Sequence, residues 1–350
     1  MFRSINLPLE IDIISSDHIS ETFGDLLRYI SPIQKILLIT TKHLYDKYLN
    51  NEIEFEEAKL DTVFIQNACT NTVTEVYGTY LKDSKTYGLI VGFGGGKIID
   101  VSKYVAYMSL LPVIVIPTTL SNDGIASPIS VLREPNGRRR LSLKSQMPTK
   151  VILDINIIRK APIETTIAGI GDLLSNISAL KDWRLANKDI GEPIDMPAYI
   201  LSYNASMNFY RRLLLSKEKV DISEPTILEE LAHGLILSGL SMAIAGSSRP
   251  ASGAEHLISH AIDLLFPNKA TLHGYQVAYG MLVAEMLRGE DIDELLDVFR
   301  RVGLPRSYKE LGLTLEEIVK AIQFAPKIRD RYTILSKVEL SEEKIIEVVI

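Results

Sequence analysis

The chain has 350 residues, 46% of them hydrophobic, with 38 basic against 44 acidic side chains and a formal net charge of −6. That length allows two domains with substantial buried cores, and the acidic balance leaves no electrostatic footprint for nucleic acid. The single cysteine, Cys69, excludes an internal disulfide framework or a cysteine-rich zinc module, and suits a reducing cytoplasm.

The N-terminal MFRSINLPLEIDI is interrupted by Pro8, Glu10 and Asp12 before an apolar signal core can form. The mostly apolar run Val105–Pro117, read as the longest of its kind, is too short to span a bilayer. A soluble cytoplasmic protein without a transmembrane segment is expected. Through the first half, short apolar runs of β type alternate with helical patterns. These are KILLIT at 35–40, a helix through HLYDKYL, DTVFIQ at 61–66, a helix through TEVYGTYL, YGLIVGF at 87–93, a helix through DVSKYVAYM, and LPVIVIPTT at 111–119. Such alternation implies crossover connections and a parallel sheet. PISVLREPNGRRRLSLKS reads as a β-hairpin turning at Asn136-Gly137, with Arg138, Arg139 and Arg140 on its solvated rim, and KVILDIN at 150–156 as one more strand. From Ala161 the β signal nearly disappears, and ILSYNASMNFYRRLLLS, TILEELAHGLILSGLSMAIAG, GAEHLISHAIDLLF, GYQVAYGMLVAEML and DELLDVFRRVG carry helical periodicity. The expected architecture is an α/β dinucleotide-binding domain with a parallel sheet over residues 1–160, then an all-helical domain over 161–350.

Two loops at strand ends stand out. Gly92-Phe93-Gly94-Gly95-Gly96-Lys97-Ile98-Ile99-Asp100 lies between a strand and a helix, where glycines let backbone approach a pyrophosphate. It follows the third strand-like segment instead of the first, and lacks the Gly-Lys-Ser/Thr ending of an NTPase loop. Pro117 to Pro128, PTTLSNDGIASP, forms a polar loop after a very apolar strand. In open parallel sheets ligands bind at that edge, so both loops are expected to line one cleft.

His256 and His260 stand four apart in SGAEHLISHAID, one turn apart on one helix face. That is the geometry of a metal-binding helix, and equally of two histidines that bind nothing. Asp172, in AGIGDLLSN, follows Gly171 at an expected helix start, where an acid also serves as a cap. His273 opens another helix in TLHGYQV. One carboxylate and two imidazoles leave a divalent ion open positions for substrate oxygens.

The segments GFGGGKIID, PTTLSNDGIASP, AGIGDLLSN, GAEHLISHAID and LHGYQVAYG occur in the order found in the metal-dependent polyol dehydrogenase and dehydroquinate synthase-like superfamily, which the chain resembles from about residue 30 to 330. TLSNDG followed by IASP, and EHLISHA, resemble its archaeal sn-glycerol-1-phosphate dehydrogenase branch more than glycerol dehydrogenases. The resemblance implies a dehydroquinate synthase-like fold with the active site in the cleft between its domains. It implies that Gly96, Lys97, Ile98, Ile99, Asp100, Thr118, Thr119, Leu120, Ser121 and Ser127 hold NADPH or NADH. It assigns catalytic zinc to Asp172, His256 and His273, with Asp172 also touching substrate, and substrate contact without metal to Asp123 and His260. The implied reaction is reversible, zinc-assisted reduction of dihydroxyacetone phosphate to sn-glycerol 1-phosphate, a precursor of archaeal membrane lipids, by a homo-oligomer. Its nearest rival is a glycerol dehydrogenase acting on an unphosphorylated polyol, and a more distant one is a dehydroquinate synthase-like lyase. His18, His43 and His233 match no family position and read as structural, His233 as a packing residue in an apolar helix. After the first strand, Ile39-Thr40-Thr41-Lys42-His43 lacks the acid that would bind a ribose 2′-hydroxyl, which leans toward NADPH. The alternative is that Thr41 and Lys42 merely begin the next helix.

Overall fold

The computed structural model describes residues 9–14, 34–49, 59–82, 85–135, 140–216 and 220–349. Met1–Pro8, His18, Asn136, Gly137, Arg138 and Arg139 therefore lie outside the described residues. The chain divides into two compact units, Met1–Leu120 with Gly124–Ala161, and Ser121–Asp123 with Pro162–Ile350.

The first unit is built on strands β1 (Glu10–Ile14), β2 (Lys35–Thr40), β3 (Leu60–Phe64), β4 (Tyr87–Gly94), β5 (Val113–Pro117) and β8 (Lys150–Asp154). They form one sheet in the order β1-β8-β5-β4-β2-β3, every pairing parallel. The central strands YGLIVGFG and VIVIP are almost wholly buried, as expected for parallel strands covered on both faces. Their side chains, with Ile36, Leu38 and Ile152, make the core. Helices α1 (Lys42–Tyr48), α2 (Thr70–Val76, continued by a π turn at Tyr77–Leu81) and α3 (Gly96–Ser109) make the crossovers. Strands β6 (Ile129–Arg133) and β7 (Arg140–Lys144) pair antiparallel as a separate hairpin that opposes Arg133 to Arg140. Strand β1 is not announced by the sequence pattern: EIDII lies mostly exposed at the sheet edge. Its acids sit on Lys150, whose Nζ is 2.5 Å from Asp12 Oδ2 and 3.5 Å from Glu10 Oε2.

From β2 the chain runs outward to β3 and then back to β4 on the other side, so the strand order reverses between β2 and β4. A glycine loop after the third strand-like segment thus stands at the switch point, where ligands bind in open α/β sheets. The two strand ends are locked together there, Thr40 Oγ1 donating to the Phe93 carbonyl at 2.8 Å. The short helix α4 (Ile155–Arg159), capped by Asp154, closes the unit.

The second unit is helical: α5 (Ile163–Ile190), α6 (Met196–Leu215), α7 (Pro225–Ala245), α8 (Ala254–Leu265), α9 (His273–Leu287), α10 (Asp293–Val302), α11 (Leu315–Phe324), α12 (Ile334–Lys337) and α13 (Glu342–Val348). Two expectations are corrected here. Asp172 does not cap or start a helix: α5 begins at Ile163, and Asp172 is buried in its middle. His233 is exposed on the outer face of α7, whose Leu228, Leu231, Ala232 and Leu235 point inward. Helix α7 is also longer than the apolar run at Val105–Pro117, and by length and composition alone it could cross a membrane. Most of it is packed inside this unit.

Candidate active site

In the first unit, helix α3 lies close against β4 because Gly92 has no side chain. A Cβ there would fall 2.6 Å from Ser102 Oγ. Ile98 and Ile99 are core residues and Lys97 is exposed, so this turn can offer a ligand mainly backbone N–H groups. The N-cap is Gly95, no side chain caps it, and the first turn carries no acid. An uncapped helix start of this kind favours an anion. The loop after β5 abuts it: Thr118 N–H donates to the Gly94 carbonyl at 3.0 Å, and a Cβ on Gly95 would meet Thr119 Oγ1 at 3.3 Å. Leu120 and Ser127 are buried, and Asp100 is half-buried. The Ser127 hydroxyl is turned inward, donating to the Ile129 carbonyl at 3.2 Å and accepting from Lys103. Fully buried Lys103 also donates to the carbonyls of Gly124 at 2.7 Å and Ile129 at 2.6 Å, fixing this loop from beneath. At the end of β2, Thr41 caps α1, accepting from Leu44 N–H at 3.2 Å, and exposed Lys42 pairs with Asp46.

In the second unit, Asp172, His256 and His273 converge from α5, α8 and α9, with one ligand atom of each within 4.8 Å of the others. Each is oriented by another group, as metal ligands generally are. Ser259 Oγ donates to Gln276 Oε1 at 2.8 Å, so it accepts from His273 Nδ1–H at 3.1 Å. That bond leaves the His273 Nε2 lone pair 3.7 Å from Asp172 Oδ1. His256 Nδ1 lies 2.9 Å from Glu255 Oε1, which leaves its Nε2 as the ligand atom. Asp172 Oδ2 accepts from Asp123 N–H at 2.9 Å, leaving Oδ1 for the cluster. Burial, and then the Asp123 carboxylate, push the Asp172 carboxyl well above its ordinary value. Burial, aided by the charges of Arg331 and Arg329, pushes His256 down to about 3 and keeps its imidazole neutral. A buried carboxylate beside two imidazoles, all held by partners, fits a divalent cation, which offsets the buried negative charge and takes the nitrogen lone pairs.

His260 is half-buried outside that trio, its ring stacked on His273 at 5.9 Å between centroids and 6.3 Å from His256. Asp123 is aimed by a relay: Asn176 Nδ2 donates to Ser238 Oγ, which donates to Asp123 Oδ2, each at 2.8 Å. The loop residue Ser121 leads into Asp123, and His43 is exposed on α1.

A model for iron-containing alcohol dehydrogenases matches residues 14–162. A protein of Methanosphaera stadtmanae named glycerol-1-phosphate dehydrogenase, NAD(P)+, is 36% identical over 98% of this chain and 96% of its own. One of the same name from Hyperthermus butylicus is 38% identical over the same shares. This chain belongs to the glycerol-1-phosphate dehydrogenase family. The fold agrees: a probable glycerol dehydrogenase from Sinorhizobium meliloti superimposes with a TM-score of 0.77 at 22% identity, over 98% of this chain and 95% of that one.

Around this dehydrogenase-family cluster stand residues that sequence reasoning passed over. Asp182, buried on α5, accepts from Ala254 N–H at 2.7 Å and Ile334 N–H at 2.8 Å, capping both α8 and α12 from a distance. Arg288 neutralises it at 2.6 Å, although burial still pushes the Asp182 carboxyl upward. Helix α8 is thereby pinned two residues before His256. Glu255, Ser259 and Gln276 carried a usable signal: they stand next to, or three residues after, a candidate histidine on a helix, within reach of its ring or its neighbour's.

Proposed function

We propose that the protein catalyses the reversible NAD(P)H-dependent reduction of dihydroxyacetone phosphate to sn-glycerol 1-phosphate, with zinc held by Asp172, His256 and His273. The convergence of these three ligands, in a chain 36% identical to a glycerol-1-phosphate dehydrogenase, carries the reading. When bound, the ion supplies Lewis acidity at the ketone oxygen and the nicotinamide supplies hydride. The protein's own groups position and move protons. Asp123, held by Ser238, accepts a substrate hydroxyl, while Asp172 Oδ1 faces the same space. His260, against the ligand histidines, holds the proton that the new hydroxyl takes. The first turn of α3, Gly96 to Asp100, with Thr118, Thr119, Leu120 and Ser121 beside it, would hold the pyrophosphate of the dinucleotide. Ser127, engaged with Lys103, acts on that loop's shape.

Parallel assays with dihydroxyacetone phosphate, dihydroxyacetone and a heptulosonate phosphate, followed by chiral analysis of the product, test this reading. The expected result is efficient turnover of the first alone, giving the sn-glycerol 1-phosphate enantiomer. Efficient turnover of dihydroxyacetone in preference to its phosphate would establish the glycerol dehydrogenase alternative instead.

A further inference from the structure

Three arginines crowd together beside the approach to α8, and of these only Arg249 is ion-paired among the described residues. Arg249 is neutralised by Glu192, with Nε 2.7 Å from Oε1 and Nη2 on Oε2, and its Nη1 donates to the Tyr332 carbonyl at 2.8 Å. Arg329 and Arg331 meet instead at one hydroxyl: Nη1 of Arg329 lies 3.2 Å and Nη2 of Arg331 2.8 Å from Ser248 Oγ. Nη1 of Arg331 also donates to the carbonyl of Ser252, four residues before His256. Both guanidiniums are half-buried, and among the described residues neither brings a nitrogen within 4.0 Å of a carboxylate. Of the acids that Arg331 senses at longer range, Glu192 is taken by Arg249, and Glu255 gives Oε1 to His256 and the Gly253 N–H while its buried Oε2 makes no hydrogen bond to either arginine.

Two adjacent, partly desolvated cations with no carboxylate in contact are unfavourable unless an anion joins them. The repulsion registers at Arg331, which burial and then the charges of Arg329 and Arg249 push down to about 10. A guanidinium has five N–H donors in a planar fork that matches phosphate oxygens, and Ser248 and Ser252 occupy only part of these two forks. The bond from Arg331 to the Ser252 carbonyl sets it at the start of α8, the helix that carries His256. In dihydroxyacetone phosphate the phosphate is separated from the carbonyl by one methylene and one ester oxygen, so a substrate whose ketone is at the histidine cluster carries its dianion nearby.

We propose that Arg329 and Arg331, oriented by Ser248, bind the substrate phosphate and select a phosphorylated ketone over its unphosphorylated analogue. This rests on the reading of the cluster as a dihydroxyacetone phosphate reductase.

The test uses the metal-loaded full-length protein with Arg329→Gln, Arg331→Gln and the conservative Arg331→Lys. Each glutamine change lowers kcat/KM for dihydroxyacetone phosphate about 10- to 100-fold, the range for a charged hydrogen-bonding group, mostly through KM, and leaves the slow turnover of dihydroxyacetone unchanged. Arg331→Lys recovers part of the loss, because it keeps the charge without the fork. Inorganic phosphate competes with dihydroxyacetone phosphate in the unmodified protein and competes more weakly in both glutamine variants. Equal loss on both substrates, or a change confined to the KM for NADPH, overturns the assignment. So does an absence of competition by inorganic phosphate in the unmodified protein, a result that needs no variant to fold. Failure of the unmodified protein to turn over dihydroxyacetone phosphate would instead refute the functional reading itself.

Discussion

Gly171 and Gly274 bring helices α5 and α9 into backbone contact: a Cβ on Gly171 would lie 2.3 Å from the Gly274 carbonyl oxygen. A Cβ on Gly274 would lie 1.7 Å from the carbonyl oxygen of Ala168. Each glycine directly adjoins a residue of the cluster, so this crossing sets how closely Asp172 and His273 approach. Gly274→Ala must therefore push the helices apart. The expected loss is about 1–3 kcal/mol of stability from overpacking, together with a fall in bound metal, read by thermal unfolding and elemental analysis. Gly78→Ala, which meets nothing within 4 Å, serves as the control and should change neither. Full metal content in Gly274→Ala would show that the crossing does not govern the cluster.

The two histidines of SGAEHLISHAID are expected to respond differently. His256→Ala removes a proposed ligand and should abolish both metal content and turnover. His260→Ala should keep its metal and lose about 100- to 10,000-fold in rate, the span of a proton-transfer group. Elemental analysis of the purified variants separates them. Metal loss in His260→Ala equal to that in His256→Ala would mean their roles have been interchanged.

Ser259 acts on the metal only through His273. In Ser259→Ala the imidazole loses the acceptor that fixes its proton on Nδ1, and metal affinity should fall about 10- to 100-fold, as for other residues that orient a ligand. Competition with a chromogenic chelator measures this directly. Ser259→Thr keeps the hydroxyl and should restore most of the affinity. An unchanged affinity in Ser259→Ala would show that helix packing alone aims His273.

How much of this was legible in the sequence depended on whether the signal was local. KILLIT, YGLIVGF and VIVIP announced parallel strands because buried strands are continuous apolar runs, and the helices of the second half showed their periodicity. The candidate ligands Asp172, His256 and His273, which the fold brings together, were named through the motifs around them. Missing were features set by tertiary contact. Strand β1 is mostly exposed, and pairs with a partner some 140 residues away. Asp172 looked like the start of a helix because it follows Gly171, whereas Gly171 lies within α5 to let the backbone of a neighbouring helix approach. Arg329 and Arg331 carry no motif, and what marks them is that among the described residues no carboxylate lies within 4.0 Å of either, which only the folded chain displays.

The end of β2 bears on cofactor choice. Thr41 Oγ1 is engaged as the cap of α1 and Lys42 is paired with Asp46, so the structure shows both residues serving the start of a helix. The turn still lacks an acidic residue at the strand end, and its neighbour Thr40 is tied to the Phe93 carbonyl at the switch point. An acid placed there would repel a 2′-phosphate and accept the hydroxyls of an unphosphorylated ribose. Thr41→Asp is a clean probe because Asp caps a helix about as well as Thr, so the fold need not change. With no acid to exclude the extra phosphate, the unmodified protein is expected to use both NADPH and NADH, with NADPH at least as efficient. In Thr41→Asp, KM for NADPH should rise about tenfold or more, equivalent to roughly 1.4 kcal/mol, while KM for NADH stays level or falls. Steady-state kinetics with the two cofactors at saturating dihydroxyacetone phosphate decide the matter. Strict use of NADH by the unmodified protein would show that some other group rejects the 2′-phosphate, and equal losses with both cofactors in the variant would place Thr41 away from the ribose.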